Sequence, residues 1–281
     1  MKHAHRLTKT VFVSGHSFLG ITTTCTIHPL VESGIFFKLP NGEKVPLSSM
    51  SLGVNTTFHF LTLAYGAYQL NIPEHLLGML YAVGLDKVMI ELPKPRLPYS
   101  RGAKIYWDAL KKNVVGSGYH HLCTPRQNVT VENKRGGKIE FTPGVPGCEK
   151  LTYEIFVSYP ELGEMTLTGV VGDANDFAEL FSARSYMRTR AHRFLAQTAS
   201  EFLNWPHTDI AVYKESDSEE ARQAVLRELC FHRLLDLLGA LMHVCPKGNR
   251  IVGHMKTRFT GHEGDVELVQ KMRPMGFLVG R

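Results

Sequence analysis

The stretch His232-Arg233-Leu234-Leu235-Asp236 places an imidazole and a carboxylate four residues apart inside an apolar run. On a helix, side chains at i and i+4 share a face with Cβ atoms about 5 to 6 Å apart, so both can hold one metal ion. A candidate third donor lies far upstream in Glu74-His75-Leu76-Leu77, where an acid adjoins a histidine at the start of another apolar segment. Catalytic zinc usually takes three protein ligands and an activated water. His75, His232 and Asp236 make such a set, and Glu74, beside a ligand, is a candidate general base. His262, in Thr260-Gly261-His262-Glu263-Gly264, sits on a glycine-flanked turn and is the candidate general acid. The chemistry would be metal-assisted hydrolysis. Taken singly, each feature has a plainer reading. His232 and Asp236 also make a salt-bridged helix pair, and His262 an exposed loop residue. Among the 14 histidines, His120-His121 and His3/His5 have metal-like spacing too, and these are read as solvated loop and tail residues.

The elements that must carry these residues are legible from period and composition. Residues 7 to 38 alternate polar with Val, Ile, Thr and Phe, which is strand chemistry. Pro73 opens an amphipathic helix that closes near Gly84. A β-branched strand is expected over Lys87 to Leu92 and a helix over Ile105 to Leu110. Residues 124 to 149 are rich in Gly, Pro, Lys and Asn, and the domain boundary is placed at their start. Beyond it, Leu151 to Tyr159 and Glu164 to Val171 read as strands, and Asp176 to Phe202 carries helical pattern. Glu219 to His243 reads as the helix bearing the ligand pair, and Arg250 to Phe259 as a strand. The division is thus residues 1–123 with Glu74 and His75, and 124–281 with His232, Asp236 and His262. Strands and helices recur in one order in both parts, although no residue-level repeat is visible.

Bulk properties narrow the classes. The chain has 281 residues, 43% hydrophobic and 21% charged, which fits a globular protein and excludes a disordered or fibrous one. Five cysteines without a CxxC pair read as reduced thiols of a cytoplasmic protein. The basic N-terminus lacks the apolar run of a secretory signal, and Leu226 to Cys245 is too interrupted by charge to span a bilayer. A net charge of +6 favours anionic partners: a phosphorylated small molecule, an anionic membrane surface or nucleic acid.

Several motifs together resemble the UDP-3-O-acyl-N-acetylglucosamine deacetylase (LpxC) family, zinc amidases of lipid A biosynthesis. Ile27-His28-Pro29 with Ser33-Gly34-Ile35-Phe36-Phe37 is similar to the family's early strand pair. Glu74-His75-Leu76-Leu77, then Gly84-Leu85-Asp86 and Glu91, resembles its Glu-His-Leu-Leu segment. Ala183-Arg184-Ser185-Tyr186 resembles its Ala-Arg-Thr-Phe motif, Phe231 to Asp236 its ligand helix, and Gly261-His262 its Ser-Gly-His motif. The resemblance implies an α+β fold of two similar domains, each a sheet with helices on one face, enclosing the site between them. It implies Zn(2+) on His75, His232 and Asp236, with Glu74 as base and His262 as acid. Ser185 would polarise the scissile carbonyl, and Arg233 and Tyr186 would contact substrate. The implied partner is an anionic sugar nucleotide or acylated amino sugar, with peripheral membrane contact, no nucleic acid, and a monomeric, cytoplasmic protein.

Five departures bear on that expectation. The family's Gly-Leu-His-Ser-Gly is here Gly15-His16-Ser17-Phe18-Leu19-Gly20, and its Asp-Gly-Ser-Ala is Arg101-Gly102-Ala103-Lys104. The lysine after the ligand histidine is Arg233, which keeps the charge and gains bidentate phosphate geometry. The aspartate that pairs with the family's catalytic histidine is Ala240, which predicts a lower pKa for His262 unless Glu263 or Asp265 takes its place. The segment between Trp205 and His232 is shorter than the family's acyl-chain insert. The expected function is zinc-dependent N-deacetylation of a UDP-3-O-acyl-N-acetylglucosamine-like precursor. A different N-acetylated sugar, a non-catalytic sugar-nucleotide or lipid binder, and a basic nucleic-acid binder are the competing readings.

Overall fold

The computed structural model describes residues 3–17, 20–57, 59–99, 101–134, 136–186, 210–211, 218–245 and 249–279. In chain order, the upstream part holds β1 (His3–Leu7), β2 (Val11–His16), β3 (Thr22–Pro29), β4 (Gly34–Lys38), β5 (Lys44–Pro46), β6 (Ser51–Asn55), β7 (Phe60–Tyr65) and β8 (Tyr68–Asn71). Helix α1 (Glu74–Val83), β9 (Lys87–Glu91), α2 (Lys104–Leu110) and β10 (Val114–Tyr119) complete it. The downstream part holds β11 (His121–Pro125), β12 (Val129–Glu132), β13 (Lys138–Pro143), β14 (Leu151–Tyr159), β15 (Gly163–Val170), α3 (Phe177–Ser182), β16 (Ser185–Tyr186) and β17 (Ile210–Ala211). There follow α4 (Glu219–Val244), β18 (Asn249–Ile251), β19 (Gly253–Arg258), α5 (His262–Met275) and β20 (Phe277–Val279). The fold is α+β.

Two five-stranded sheets organise it, ordered β2-β3-β9-β4-β5 and β12-β13-β19-β14-β15. Both run antiparallel, antiparallel, parallel, antiparallel from edge to edge. In each, the last strand in sequence enters the middle, because a helix carries the chain across before it. That helix is α1 ahead of β9 and α4 ahead of β19. Element order therefore repeats even though residues do not. Each strand alternates as a one-sided sheet requires. In β14, Leu151, Tyr153, Ile155 and Val157 are buried and their neighbours half-exposed.

All ten residues of α1 are buried, as is almost everything in α4 from Leu229 onward. A helix covered on every side belongs in a core, and these two lie against each other at its centre. Two glycines set the closeness of that packing. A Cβ on Gly78 would run into the Leu235 carbonyl oxygen, and one on Gly239 would lie 2.6 Å from the Glu74 carbonyl oxygen. Gly84, at φ 80, closes α1 with its N–H donating to the Leu80 and Tyr81 carbonyls. Ser218 opens α4 by accepting the Ala221 N–H, with Glu219 and Glu220 in its first turn.

The structure differs from the sequence reading in four places. Residues 124–149 contain the hairpin β12–β13, because Val129, Val131, Ile139 and Phe141 put one apolar face inward between polar turns. His262 is the first residue of α5 rather than part of a free turn. His120 is buried, with its Nε2 3.0 Å from the Gly84 carbonyl, and His3 and His5 belong to β1. Of the helical pattern over 176–202, α3 is short and residues 187–209 lie outside the described residues. The chain between Trp205 and Ser218 is largely outside them too. Among the described residues, no helix is long and apolar enough to cross a membrane.

Candidate metal centre

Helix α1 delivers two adjacent donors at its start. The chain turns into it through Ile72, a β-branched residue held at φ 58, and Pro73. Glu74 is 2% exposed. One carboxylate oxygen accepts the Leu61 N–H at 3.4 Å, and the other has no partner. His75, 3% exposed, leaves Nδ1 unpartnered and sets its ring edge-on to that of His232 at 5.2 Å between centroids. From α4, His232 brings Nδ1 to 3.4 Å from Asp236, whose Oδ1 is unpartnered.

The donor atoms of His75, His232 and Asp236 lie within 4.8 Å of one another, as do those of Glu74, Asp236 and His262. Asp236 belongs to both groups, so two overlapping sets of donors meet at its carboxylate. Buried polar atoms without partners cost free energy; His75 and Asp236 each have one and lie in the same donor group, where a divalent cation would satisfy them. Two imidazoles and a carboxylate suit zinc, and would also accept iron(II). Burial drives the ligand imidazoles to the neutral form that coordination requires. Desolvation, helped by neighbouring cationic groups, pushes both His75 and His232 down to about 3. Burial also raises the Asp236 carboxyl.

Glu74 and His262 are displaced in ways that fit opposite proton roles. Burial lifts Glu74 to about 8, partly offset by His262, 3.9 Å away. Burial alone would lower His262, but the carboxylates of Asp236, Asp265 and Glu74 raise it to about 9. Its Nδ1 lies 3.5 Å from Asp265, one turn along α5. Asp265 thus supplies the carboxylate that Ala240 lacks. The lowered pKa expected from Ala240 is replaced by a raised one, through the exception that named Asp265.

Arg233 is also fixed by Asp265. Its Nη1 donates to one carboxylate oxygen at 2.8 Å and its Nη2 to the other and, at 3.1 Å, to the Thr260 hydroxyl. It is 8% exposed. The guanidinium expected to meet a substrate phosphate is instead turned inward, because a bidentate fork beside a fully buried carboxylate is its most favourable partner. Together Arg233 and His262 hold the Asp265 carboxyl below the usual range against the upward pull of burial.

Ser185 stands at the other side of the ligands. Its hydroxyl is 3.0 Å from His232 Nε2 and 2.6 Å from the Tyr99 hydroxyl, and the Tyr99 ring packs on His75 at 5.3 Å. The strand carrying Ser185 is clamped to α4 by Arg184, whose Nε donates to Glu228 at 2.7 Å and Nη2 at 3.0 Å. Gly102, at φ 58, passes so close that a Cβ would lie 3.1 Å from His75 Nδ1. The backbone of Tyr186 continues β16, and its side chain lies outside the described residues.

All five sequence-predicted donors converge, and Ser185 joins them. Sequence reasoning missed Tyr99, the Arg184–Glu228 clamp and the glycines Gly78, Gly102 and Gly239. Gly78 and Gly239 carried a signal, since Gly inside an otherwise helical apolar run implies close approach of another backbone. Tyr99 carried none, because nothing local links it to residues 86 positions away.

Comparison with known proteins bears on this geometry. The family model of UDP-3-O-acyl N-acetylglycosamine deacetylase matches residues 4–273. Among similar proteins, the UDP-3-O-acyl-N-acetylglucosamine deacetylase of Thermodesulfovibrio yellowstonii is 23% identical over 248 residues, 87% of this chain and 82% of its own. That of Pseudomonas entomophila is 24% identical over 259 residues, covering 86% and 80%. That of Syntrophotalea carbinolica is 21% identical over 278 residues, covering 97% and 88%.

Proposed function

Because the chain belongs to the UDP-3-O-acyl N-acetylglycosamine deacetylase family, we propose that it is a zinc-dependent N-deacetylase, acting on UDP-3-O-acyl-N-acetylglucosamine or a closely related N-acetylated sugar. The observation that carries the reading is the convergence of unpartnered, buried donors from α1 and α4 on one spot. His75, His232 and Asp236 would hold the metal, which when bound supplies a Lewis acid and a water of lowered pKa.

The chain's own groups manage the protons. Glu74 accepts one from the attacking water, and a carboxyl raised towards neutrality is well matched to that task. His262, held protonated by its carboxylate neighbours, gives one to the departing amine nitrogen. Water and amide thus become acetic acid and amine, which part as acetate and ammonium, and the proton gained by Glu74 and lost by His262 is restored by exchange with solvent. The Ser185 hydroxyl, 2.6 Å from the Tyr99 hydroxyl, would donate to the scissile carbonyl oxygen. Arg233 and Asp265 position His262 rather than bind substrate.

The same reading divides the chain at residues 123 and 124, within β11, with one five-stranded sheet on either side. It makes the protein a cytoplasmic monomer with an anionic sugar-nucleotide substrate, in keeping with its free cysteines and net charge of +6. The test is metal analysis with acetate release from UDP-3-O-acyl-N-acetylglucosamine and a panel of N-acetylated amino sugars. One zinc per chain is expected, and Glu74→Gln should keep the zinc and lose turnover by about 10²-fold or more. A chain that binds no metal, or a Glu74→Gln variant with full turnover, overturns it.

A further inference from the structure

Tyr99 and Ser185 come from opposite halves of the chain and meet beside the ligand imidazoles. Their hydroxyls lie 2.6 Å apart, and Ser185 Oγ is also 3.0 Å from His232 Nε2. Tyr99 is 7% exposed, and the fold holds it on several sides. Its N–H donates to the His16 carbonyl at 2.7 Å, its own carbonyl accepts the Gly102 N–H at 2.9 Å, and its ring packs on His75. A Cβ on Gly102 would lie 3.1 Å from both the Ala183 carbonyl oxygen and His75 Nδ1, so the chain after Tyr99 is wedged between the halves. The Tyr99 hydroxyl is therefore delivered from a rigid base.

Ser185 is held differently. Glu228 accepts from both the backbone N–H and the guanidinium of Arg184, which fixes the chain just before Ser185 but not the serine side chain. A serine has three staggered χ1 wells and a hydroxyl hydrogen that turns freely. The threonine of the matching Ala-Arg-Thr-Phe motif would carry a second heavy atom on Cβ, which restricts χ1 by itself. Ser185 lacks that restraint, and the Tyr99 hydroxyl stands where it can supply another.

We propose that Tyr99 is a positioning residue for deacetylation, its O–H donating to Ser185 Oγ and holding that hydroxyl in the orientation from which it can donate to the scissile carbonyl oxygen. The inference rests on the deacetylase reading and adds to it a pairing of serine with tyrosine. Because the phenol donates, the single hydroxyl hydrogen of Ser185 is left for the substrate. A neutral imidazole on a metal has one nitrogen bound and an N–H on the other, so His232 Nε2 does not compete for that hydrogen.

The test compares acetate release by the zinc-loaded protein and its variants, with zinc content and thermal melting as controls for folding. A donor to the developing oxyanion acts on the transition state more than on bound substrate, so its loss falls on kcat. Tyr99→Phe keeps the ring on His75 and should lower kcat about three- to ninefold with KM little changed, since three χ1 wells and about three hydroxyl settings become open to Ser185. Ser185→Ala should lower kcat about 10²-fold, and adding Tyr99→Phe to it should cost nothing further. Adding Ser185→Thr to Tyr99→Phe should restore most of the lost turnover, which a merely structural defect would not allow. An unchanged kcat in Tyr99→Phe, a loss confined to KM, additive losses with Ser185→Ala, or no rescue by Ser185→Thr overturns the pairing and leaves deacetylation standing. An unaltered protein that releases no acetate from any of the substrates overturns the deacetylase reading and this inference with it. If Tyr99→Phe does not fold, a crystal structure of the unaltered protein decides. Ser185 in a single rotamer against Tyr99 supports the pairing, and several rotamers overturn it.

Discussion

The sheets β2-β3-β9-β4-β5 and β12-β13-β19-β14-β15 share strand order and pairing senses, yet the helices attached to them carry unlike loads. In the first, α1 is short and entirely buried, and it offers adjacent donors, Glu74 and His75, from its first turn. In the second, α4 has 26 residues and offers His232 and Asp236 one turn apart from its middle. The helices after the central strands diverge as well. Helix α5 begins with His262, whereas the approach to α2 runs through Arg101, which pairs outward with Asp108 at 3.5 Å. One topology therefore yields a helix end in one half and a helix flank in the other. The site exists because the end is set against the flank, and neither half holds a complete donor set.

That comparison breaks most sharply on the ligands. His75→Ala, in the first half, and His232→Ala, in the second, should each lose bound zinc and essentially all turnover, as read by metal analysis and acetate release. A variant retaining tight zinc on one half alone would show that the halves are not mutually dependent.

Next in size is the contact of end with flank. Gly→Ala inside a helix ordinarily gains about 0.5 to 1 kcal/mol. Here Gly78→Ala and Gly239→Ala should each destabilise by about 1 to 3 kcal/mol, because the new Cβ meets backbone of the facing helix, which cannot rotate away. Denaturant midpoints with unchanged slopes would measure this. A stabilised variant would show that the helices are not held by these glycines.

Asp265 sharpens the difference between α5 and α2. Asp265→Asn removes a carboxylate that raises His262, so the pKa of that imidazole falls. In the proposed mechanism His262 acts in its protonated form, so the basic limb of kcat/KM should move to lower pH and kcat at pH 8 should drop about tenfold. Adding Ala240→Asp to that variant should move the limb back up. An unmoved limb would mean that the carboxylate does not govern the acid.

The smallest effect on turnover is expected at His243, farther along α4, which ties the second half to Met50 of the first. Its Nε2 donates to the Met50 carbonyl at 2.7 Å and its Nδ1 accepts from Arg273 at 2.9 Å, an arrangement only the neutral ring can make. Burial lowers its pKa to about 4. The unfolded chain binds the proton first, near pH 6.5, so this stabilisation is present above that pH. It is lost as pH falls from 6.5 towards 4, by roughly 3 kcal/mol in all. His243→Gln should therefore flatten the stability–pH curve in that interval while leaving turnover at pH 8 unchanged.

Much of this molecule is written in local pattern. Period and caps place α1, α4 and the strands β9, β14 and β19, and the i, i+4 spacing of His232 and Asp236 puts both on one helix face whatever the surroundings. The donors' types are compatible with metal hydrolysis, and it is their combination with the motifs around them that makes it the chemistry to expect. What the sequence could not decide is where charge goes once it is buried. Arg233 has the composition of a phosphate binder, and only packing against Asp265 makes it an internal clamp. Ala240 reads as a missing carboxylate, and only the start of α5 on this side of α4 supplies another. Arg250 reads as one more basic residue, and only the fold buries it over the Tyr81 ring and beside Asp86. The physical reason is common to all three. Periodicity and capping act over a few residues and survive in any fold, whereas the partner of a buried charge is chosen over tens of residues by the way two sheets and their helices are brought together.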